Sequence, residues 1–312
     1  MIQTILFVED DASDSALIRR AFEKAGIADG LIRAKDGDDA VAYLDGSAPY
    51  QDRIANPLPC LVLLDIKLPR RSGFEVLSWI RRDPRPLRRI PVVMLTSSRH
   101  SVDVNRAYEL GANAYAVKPD TSAKLIELIQ SIKTFWMQQN EFPITASAHP
   151  SSPPPQHHGP ESQSRTILLI EDERSDAMLI KRALTRAGFA GEIEHALDGN
   201  LGLAWLRRNA ENGNLPSLVL LDLKLPGISG FEVLEEIRRS SQTRQIPIVV
   251  LAASNDVGTI NSAYERGANS YLVKSPDPDE VNRLMSFLQH YWLHVNKNAF
   301  DSSRAHATEP KA

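Results

Sequence analysis

Residues 61–69 read LVLLDIKLP, and residues 218–226 read LVLLDLKLP. An unbroken apolar run, without the alternation of a half-solvated strand, is the pattern of a strand covered on both faces. Parallel sheets sandwiched by crossover helices have such strands. Each run ends in an aspartate, Asp65 or Asp222, with a lysine two residues on and a proline four residues on. A carboxylate at the tip of an otherwise buried strand needs a reason, and here the reason operates twice.

Outward from these runs the repeat spans both halves of the 312-residue chain. TILFVEDDASDSALIRRAFEKAG at 4–26 returns as TILLIEDERSDAMLIKRALTRAG at 166–188, and YELGANAYAVK returns as YERGANSYLVK. A period this long is one domain used twice, and the length suffices for two cores. Between the copies, 142–164 is rich in Pro, Ser and His without apolar periodicity, which reads as a linker. His157 and His158 belong to that solvated linker, and 301–312 reads as a disordered tail. Domain 1 is therefore expected over 1–141 and domain 2 over 165–300. In the first copy, strands are expected near 4–9, 31–34, 60–65, 91–96 and 114–118. Helices are expected near 14–25, 37–45, 73–82, 102–110 and 121–139. That alternation predicts an α/β doubly wound five-stranded parallel sheet, with function beyond the strands' carboxyl ends at the switch in strand order.

Composition and charge narrow the function. A formal net charge of −3 favours neither nucleic acid nor an anionic membrane as partner. The arginine-rich stretch IRRDPRPLRRIP at 80–91 lies between a helix and a strand without interleaved aromatics, so a solvated loop is the better reading. The single cysteine, Cys60, forms no internal disulfide and reads as a small buried residue. No signal peptide or transmembrane run is evident, which points to a cytoplasmic protein.

At the predicted strand ends, chemistry collects. Strand one ends in Glu9, Asp10 and Asp11, strand three in Asp65, strand four in Thr96 and strand five in Lys118; the second copy has Glu171, Asp172, Glu173, Asp222 and Lys274. Two carboxylates about 4 Å apart repel by roughly 4 kcal/mol at an effective dielectric near 20. A cluster of three therefore calls for a cation. A few hard oxygen ligands suit Mg²⁺, which keeps waters and takes a phosphate oxygen readily. A lysine and a hydroxyl on the same rim would bind the remaining phosphate oxygens. The strand-three aspartate is then a nucleophile candidate. A single such aspartate is more often a turn or helix cap; it is the joint pattern that points to a site.

With FVEDD, LLDIKLPRRSGFEVL, VVMLTSS and GANAYAVKP, and their counterparts LIEDE, LLDLKLPGISGFEVL and GANSYLVKS, the chain resembles two flavodoxin-like (CheY-like) receiver domains of two-component response regulators in tandem. The long final helices ending KTFWMQQN and QHYWLHVN resemble the single-domain receivers associated with phytochromes. The resemblance implies that Asp65 and Asp222 accept phosphate from a phosphohistidine. It implies Mg²⁺ held by Glu9, Asp10, Asp65 and the Lys67 backbone carbonyl, and by Glu171, Asp172, Asp222 and the Lys224 carbonyl. Lys118 and Lys274 would pair with the phosphoryl group, and Thr96 would move to bond it. Tyr115 and Tyr271 would be the aromatic switches. The implied partner is a sensor histidine kinase, phytochrome-type or hybrid, or a phosphotransfer protein. A homodimer through the face of helix four, strand five and helix five is a further expectation.

The copies are not equivalent. Ala252 stands opposite Thr96, so the second copy is expected to be a weakened switch. Lys274-Ser275 replaces Lys118-Pro119, at a position where a cis peptide is common in the family. Rival readings are a phosphate sink or an unphosphorylated interaction scaffold. A haloacid-dehalogenase-type phosphatase would need an aspartate where Lys67 and Lys224 stand. His290 and His294, four apart on a helix, read as ordinary surface. The aromatic end of helix 121–139, with Phe135 and Trp136, is expected to overhang the domain as a partner surface.

Overall fold

The computed structural model describes residues 3–27, 30–84, 86–143 and 165–299. The expected linker from 144 onward, with its histidine pair, and the tail lie outside the described residues. Two compact units result, and Gln139–Glu141 group with the second.

The first unit runs β1 (Ile5–Val8), α1 (Ala12–Lys24), β2 (Leu31–Ala34), α2 (Gly37–Asp45), β3 (Leu61–Leu64), α3 (Gly73–Arg82), β4 (Val92–Thr96), α4 (Ser101–Glu109), β5 (Ala114–Val117) and α5 (Ser122–Ile132). The second runs β6 (Thr166–Ile170), α6 (Arg174–Arg186), β7 (Glu192–Ala196), α7 (Gly199–Glu211), β8 (Leu218–Asp222), α8 (Gly230–Arg239), β9 (Ile248–Ala252), α9 (Val257–Glu265), β10 (Ser270–Val273) and α10 (Pro278–His290). All strands are parallel, in the orders β2-β1-β3-β4-β5 and β7-β6-β8-β9-β10. The expected α/β architecture is present twice, with the order reversing between β1 and β3 and between β6 and β8.

Why these elements form is visible locally. Every residue of β3, LVLL, is buried, as both-face coverage demands. In α3 the apolar Val76, Leu77 and Ile80 face inward, at helical spacing. That helix starts in a capping box: Ser72 and Glu75 satisfy each other's backbone N–H groups, and Ser229 and Glu232 do the same for α8. Directly after the caps, Gly73 and Gly230 are obligatory. A Cβ there would meet the Asp65 or Asp222 carbonyl oxygen at 1.9 or 2.1 Å. Helix α3 is thus pressed against the backbone of the strand-end aspartate.

At the far end of each sheet an arginine ties three elements together. Arg81 donates to the carbonyls of Gly111 (2.7 Å), Arg88 (3.0 Å) and Ile90 (2.9 Å) and to Asn113 Oδ1 (2.6 Å). Arg238 repeats this with Gly267, Arg244, Ile246 and Asn269. One arginine of the basic stretch is thereby spent on structure.

Three expectations need correction or refinement. The last helix of the first unit leaves α geometry at Ile132 and continues as a π-helical turn, Lys133–Met137; the second does so at Tyr291–Val295. Phe135 and Trp136 are buried, as are Tyr291 and Trp292, so the aromatic ends are not displayed to solvent. The cis peptide among the described residues is Ala48–Pro49, and Lys118–Pro119 is not one. Within the second unit, Asn140 Oδ1 accepts from the Tyr271 N–H and the Tyr264 hydroxyl, and the Glu141 N–H donates to the Tyr271 carbonyl.

Candidate functional site

The carboxyl ends of β1, β3, β4 and β5 converge on one rim. Glu9 and Asp10 follow β1, Asp65 follows β3, Thr96 closes β4 and Lys118 follows β5. Glu9, Asp65, Thr96 and Lys118 are buried, while Asp10 and Lys67 are exposed. Lys118 Nζ donates to Asp65 Oδ2 at 2.6 Å and to Glu9 Oε2. The other oxygen of Asp65, Oδ1, accepts from the Ile66 N–H at 2.6 Å and the Lys67 N–H at 3.3 Å. A carboxylate held at both oxygens is aimed rather than free to rotate.

The second unit repeats the arrangement. Lys274 Nζ lies 2.6 Å from both Glu171 Oε2 and Asp222 Oδ2, and Lys224 N–H donates to Asp222 Oδ1 at 3.1 Å. Here the two units differ: among the described residues, carboxylate oxygens of Glu171, Asp172 and Asp222 lie within 4.8 Å of one another, and the expected set Glu9, Asp10 and Asp65 of the first unit is not gathered this closely. A donor set of oxygens alone, with net negative charge and Asp172 open to solvent, fits a hard divalent cation that retains waters.

Electrostatics follow the packing. Burial pushes the Glu9 carboxyl above its ordinary value, and Lys118 only partly offsets it. The Glu171 carboxyl is raised for the same reason. Burial alone would lower the Lys118 and Lys274 ammoniums. The carboxylates around them outweigh it, and both lysines are held above their ordinary value. Each lysine is thus a firmly charged cation occupying the centre of an acidic cluster.

Two acids of the sequence cluster do other work. Asp11 caps α1, accepting from the Ser13 and Asp14 N–H groups at 2.8 Å, which holds its carboxyl below the usual range. Glu173 caps α6. The third acid near each lysine is one that sequence reasoning missed: Asp14 Oδ2 and Asp176 Oδ2 each lie 3.5 Å from the lysine Nζ. The signal was present, since Ser-Asp recurs in both copies at 13–14 and 175–176.

The expected switch residues are placed in both copies. Thr96 Oγ1 accepts from the Ser98 N–H at 3.4 Å, and the buried Tyr115 donates its hydroxyl to the Ser98 carbonyl at 3.0 Å. Tyr271 donates to the Ser254 carbonyl at 2.6 Å. At Ala252 no hydroxyl is available. His290 and His294 have ring centroids 6.2 Å apart and take no part in the acidic cluster found among the described residues.

Comparison with known proteins falls on the same two units. The model of the response regulator receiver domain matches residues 5–130 and again 167–286. A probable methanogenesis regulatory protein, FilR2, of Methanothrix harundinacea is 44% identical over 133 residues, covering 42% of this chain and 86% of that protein. The response regulator Rcp1 of Synechocystis is 38% identical over 141 residues, 45% of this chain and 93% of that one. Among solved structures, the bacteriophytochrome response regulator AtBRR is 42% identical, with a TM-score of 0.38 over 45% of this chain and 99% of its own. Each of these relatives corresponds to one copy. No helix among the described residues is long and apolar enough to cross a membrane. With the family match running twice over most of its length, this chain belongs to the response regulator receiver domain family and carries that domain in tandem.

Proposed function

We propose that the chain is a two-component response regulator whose Asp65 and Asp222 each accept a phosphoryl group from a histidine kinase or phosphotransfer protein. The observation that carries this reading is the lysine held between a strand-end aspartate and a buried glutamate, formed twice (Lys118 with Asp65 and Glu9, Lys274 with Asp222 and Glu171). An Asp65 oxygen attacks phosphorus, the phosphorus–nitrogen bond of the donor phosphohistidine breaks, and the imidazole leaves with its electron pair, taking up a proton. Mg²⁺ would neutralise charge on the transferring group. It would be held by Glu9, Asp10, Asp65 and the Lys67 carbonyl, and by Glu171, Asp172, Asp222 and the Lys224 carbonyl. The lysine follows the developing charge from carboxylate to phosphoryl oxygen. The buried backbone behind Asp65 keeps the nucleophile in line.

Output in this reading is protein contact, with a kinase of phytochrome type or a hybrid kinase upstream and a second copy of the chain among the candidate partners. It is a cytoplasmic phosphoprotein and a phosphoacceptor rather than a turnover enzyme. Thr96 bonds the phosphoryl group and Tyr115 responds. Ala252 cannot do this, so the second copy is a weakened switch. The same residue favours a second reading for that copy, as phosphate sink or docking scaffold.

The test is intact-mass measurement after incubation with a small phosphodonor and Mg²⁺, on wild type, Asp65→Asn and Asp222→Asn. Two phosphates on wild type, each lost with its own substitution, are expected. A single phosphate lost only with Asp65→Asn would make the second copy a docking module. No phosphate on any variant would overturn the reading.

A further inference from the structure

The loop joining β3 to α3 must turn through a left-handed residue. In the second unit that residue is Gly227, at φ +77°, a conformation glycine adopts at no steric cost. In the first unit the same position is Arg70, at φ +66°, the one non-glycine residue with positive φ among those described. An arginine there is strained, so its side chain must be held by something. Its guanidinium pairs with Asp36, whose side chain is only 4% exposed, and its Nε lies 3.8 Å from Asp38 Oδ2. Next to it, Arg71 Nε donates to Asp38 Oδ1 at 3.1 Å. Asp36 is also the cap of α2, accepting from the Asp39 N–H. A Cβ on Gly37 would meet the Arg71 carbonyl oxygen at 2.0 Å, so loop and helix start lie backbone against side-chain-free backbone.

The second copy changes both sides of this contact together. Gly227 and Ile228 replace the two arginines, and Asn200 stands in the place of Asp38. Among the described residues Asp198, which corresponds to Asp36, caps α7 without an ion pair. Ile228 packs there instead, its Cγ1 2.7 Å from where a Gly199 Cβ would stand. One chain thus holds the same loop in two ways, by charge in the first copy and by apolar contact in the second.

The loop so held is the one that carries the site. It begins at Asp65, whose Oδ1 takes the Ile66 and Lys67 N–H groups, and ends at Gly73, whose N–H returns to the Ile66 carbonyl. We infer that Arg70 is a positioning residue for the first site: its ion pairs with Asp36 and Asp38 hold the 65–73 loop in the shape that presents Asp65 and the Lys67 carbonyl to a divalent cation, and make that site more sensitive to ionic strength than the second. The pairs are partly solvent-exposed, so salt screens them. This rests on the reading of Asp65 as phosphoacceptor with a bound cation.

Arg70→Gly is the informative variant, because glycine fits the left-handed turn and the fold is retained while the ion pairs are lost. Two measurements on the full chain decide the matter. In amide hydrogen exchange without phosphodonor, Arg70→Gly and Asp38→Asn should speed exchange over 66–73 and leave 223–230 unchanged. In Mg²⁺ titrations of labelling by acetyl phosphate, Arg70→Gly should raise the midpoint for Asp65 about tenfold, the scale of outer-shell effects on metal sites. The saturated rate should stay, and Asp222 should be unaffected. Raising NaCl should move the wild-type Asp65 midpoint more than that of Arg70→Gly. Unchanged exchange over 66–73 overturns the proposal, as does a lower saturated rate with an unmoved midpoint. Absence of label on wild-type Asp65 would remove the phosphoacceptor reading, and the exchange comparison would then decide the ion-pair clamp by itself.

Discussion

Ala252 occupies in the second sheet the position that Thr96 occupies in the first. Each closes its strand and pairs with the valine preceding the site lysine, Val273 or Val117. Each offers its carbonyl to that lysine's N–H, at 2.8 and 2.7 Å. The backbone is the same; the threonine side chain adds a hydroxyl and a methyl, and of the two only the hydroxyl can hydrogen-bond. A hydrogen bond to a charged group is worth about 2 kcal/mol. Ala252→Thr should therefore shift the switch equilibrium of the second copy by roughly thirtyfold toward the phosphorylated form. The readout is the phosphorylation-linked NMR shift at Tyr271, expected in Ala252→Thr and weak in wild type. Thr96→Ala should uncouple Tyr115 in the same assay while leaving Asp65 able to take phosphate. An equal response of Tyr271 with and without the hydroxyl would sink the argument.

Removing a site lysine should destabilise the metal-free protein. Lys118→Ala leaves Glu9 and Asp65 buried without their cation, and breaking a buried pair in this way costs about 3 to 5 kcal/mol. Urea unfolding in EDTA is expected to show that loss for the first unit. Excess Mg²⁺ should recover part of it, because a divalent cation supplies the missing charge. Equal unfolding midpoints with and without Lys118 would mean the cluster is not electrostatically strained.

Alkaline pH should weaken both units. Burial pushes the Tyr115 and Tyr271 phenols up to about 12. A group whose folded pKa is raised contributes stability that is complete below its unfolded value, near 10 for tyrosine, and is lost as pH climbs through the folded value. Lys118 and Lys274, also raised, act in the same direction. The denaturation midpoint is thus expected to hold to about pH 10 and fall between 10 and 12. A midpoint flat across that window would contradict the burial of these rings.

Cys60 gives a simple probe of opening. Burial pushes its thiol up to about 12, and its Sγ donates to the Thr4 carbonyl at 3.3 Å. Alkylation at pH 8 should be undetectable in the native chain and complete in denaturant, since the thiolate is the reactive form. Rapid native-state labelling would show that the amino-terminal end of the β1–β3 pair opens locally.

Much of this molecule is legible in its sequence. Unbroken runs such as LVLL and VVML announced parallel strands because burial on both faces leaves no room for alternation. Once the strands were placed, their ends put Glu9, Asp65, Thr96 and Lys118 on one rim. What escaped was of two kinds. Asp14 and Asp176 lie in the first turn of a helix, where an acid is ordinary, and only the folded loop brings them to the lysine. Arg70 lies 34 residues from Asp36 in sequence, and neither its left-handed backbone nor its partner can be inferred from residue type. The departure from α geometry after Ile132 likewise depends on how the buried aromatic end packs.

The arginine fastenings at the far end of the two sheets give both copies one frame. Arg81 and Arg238 grip four equivalent acceptors with bond lengths matching to within about 0.1 Å. No reacting group lies there, so the match is one of scaffold and not of chemistry. On the rim the copies share the lysine-centred acidic cluster and differ at Thr96 and Ala252 and at Arg70 and Gly227. With Ile90 and Asn113 pinned before β4 and β5, and Ile246 and Asn269 before β9 and β10, the two rims are borne on the same frame, so a difference in behaviour between the copies traces to rim side chains and not to the scaffold.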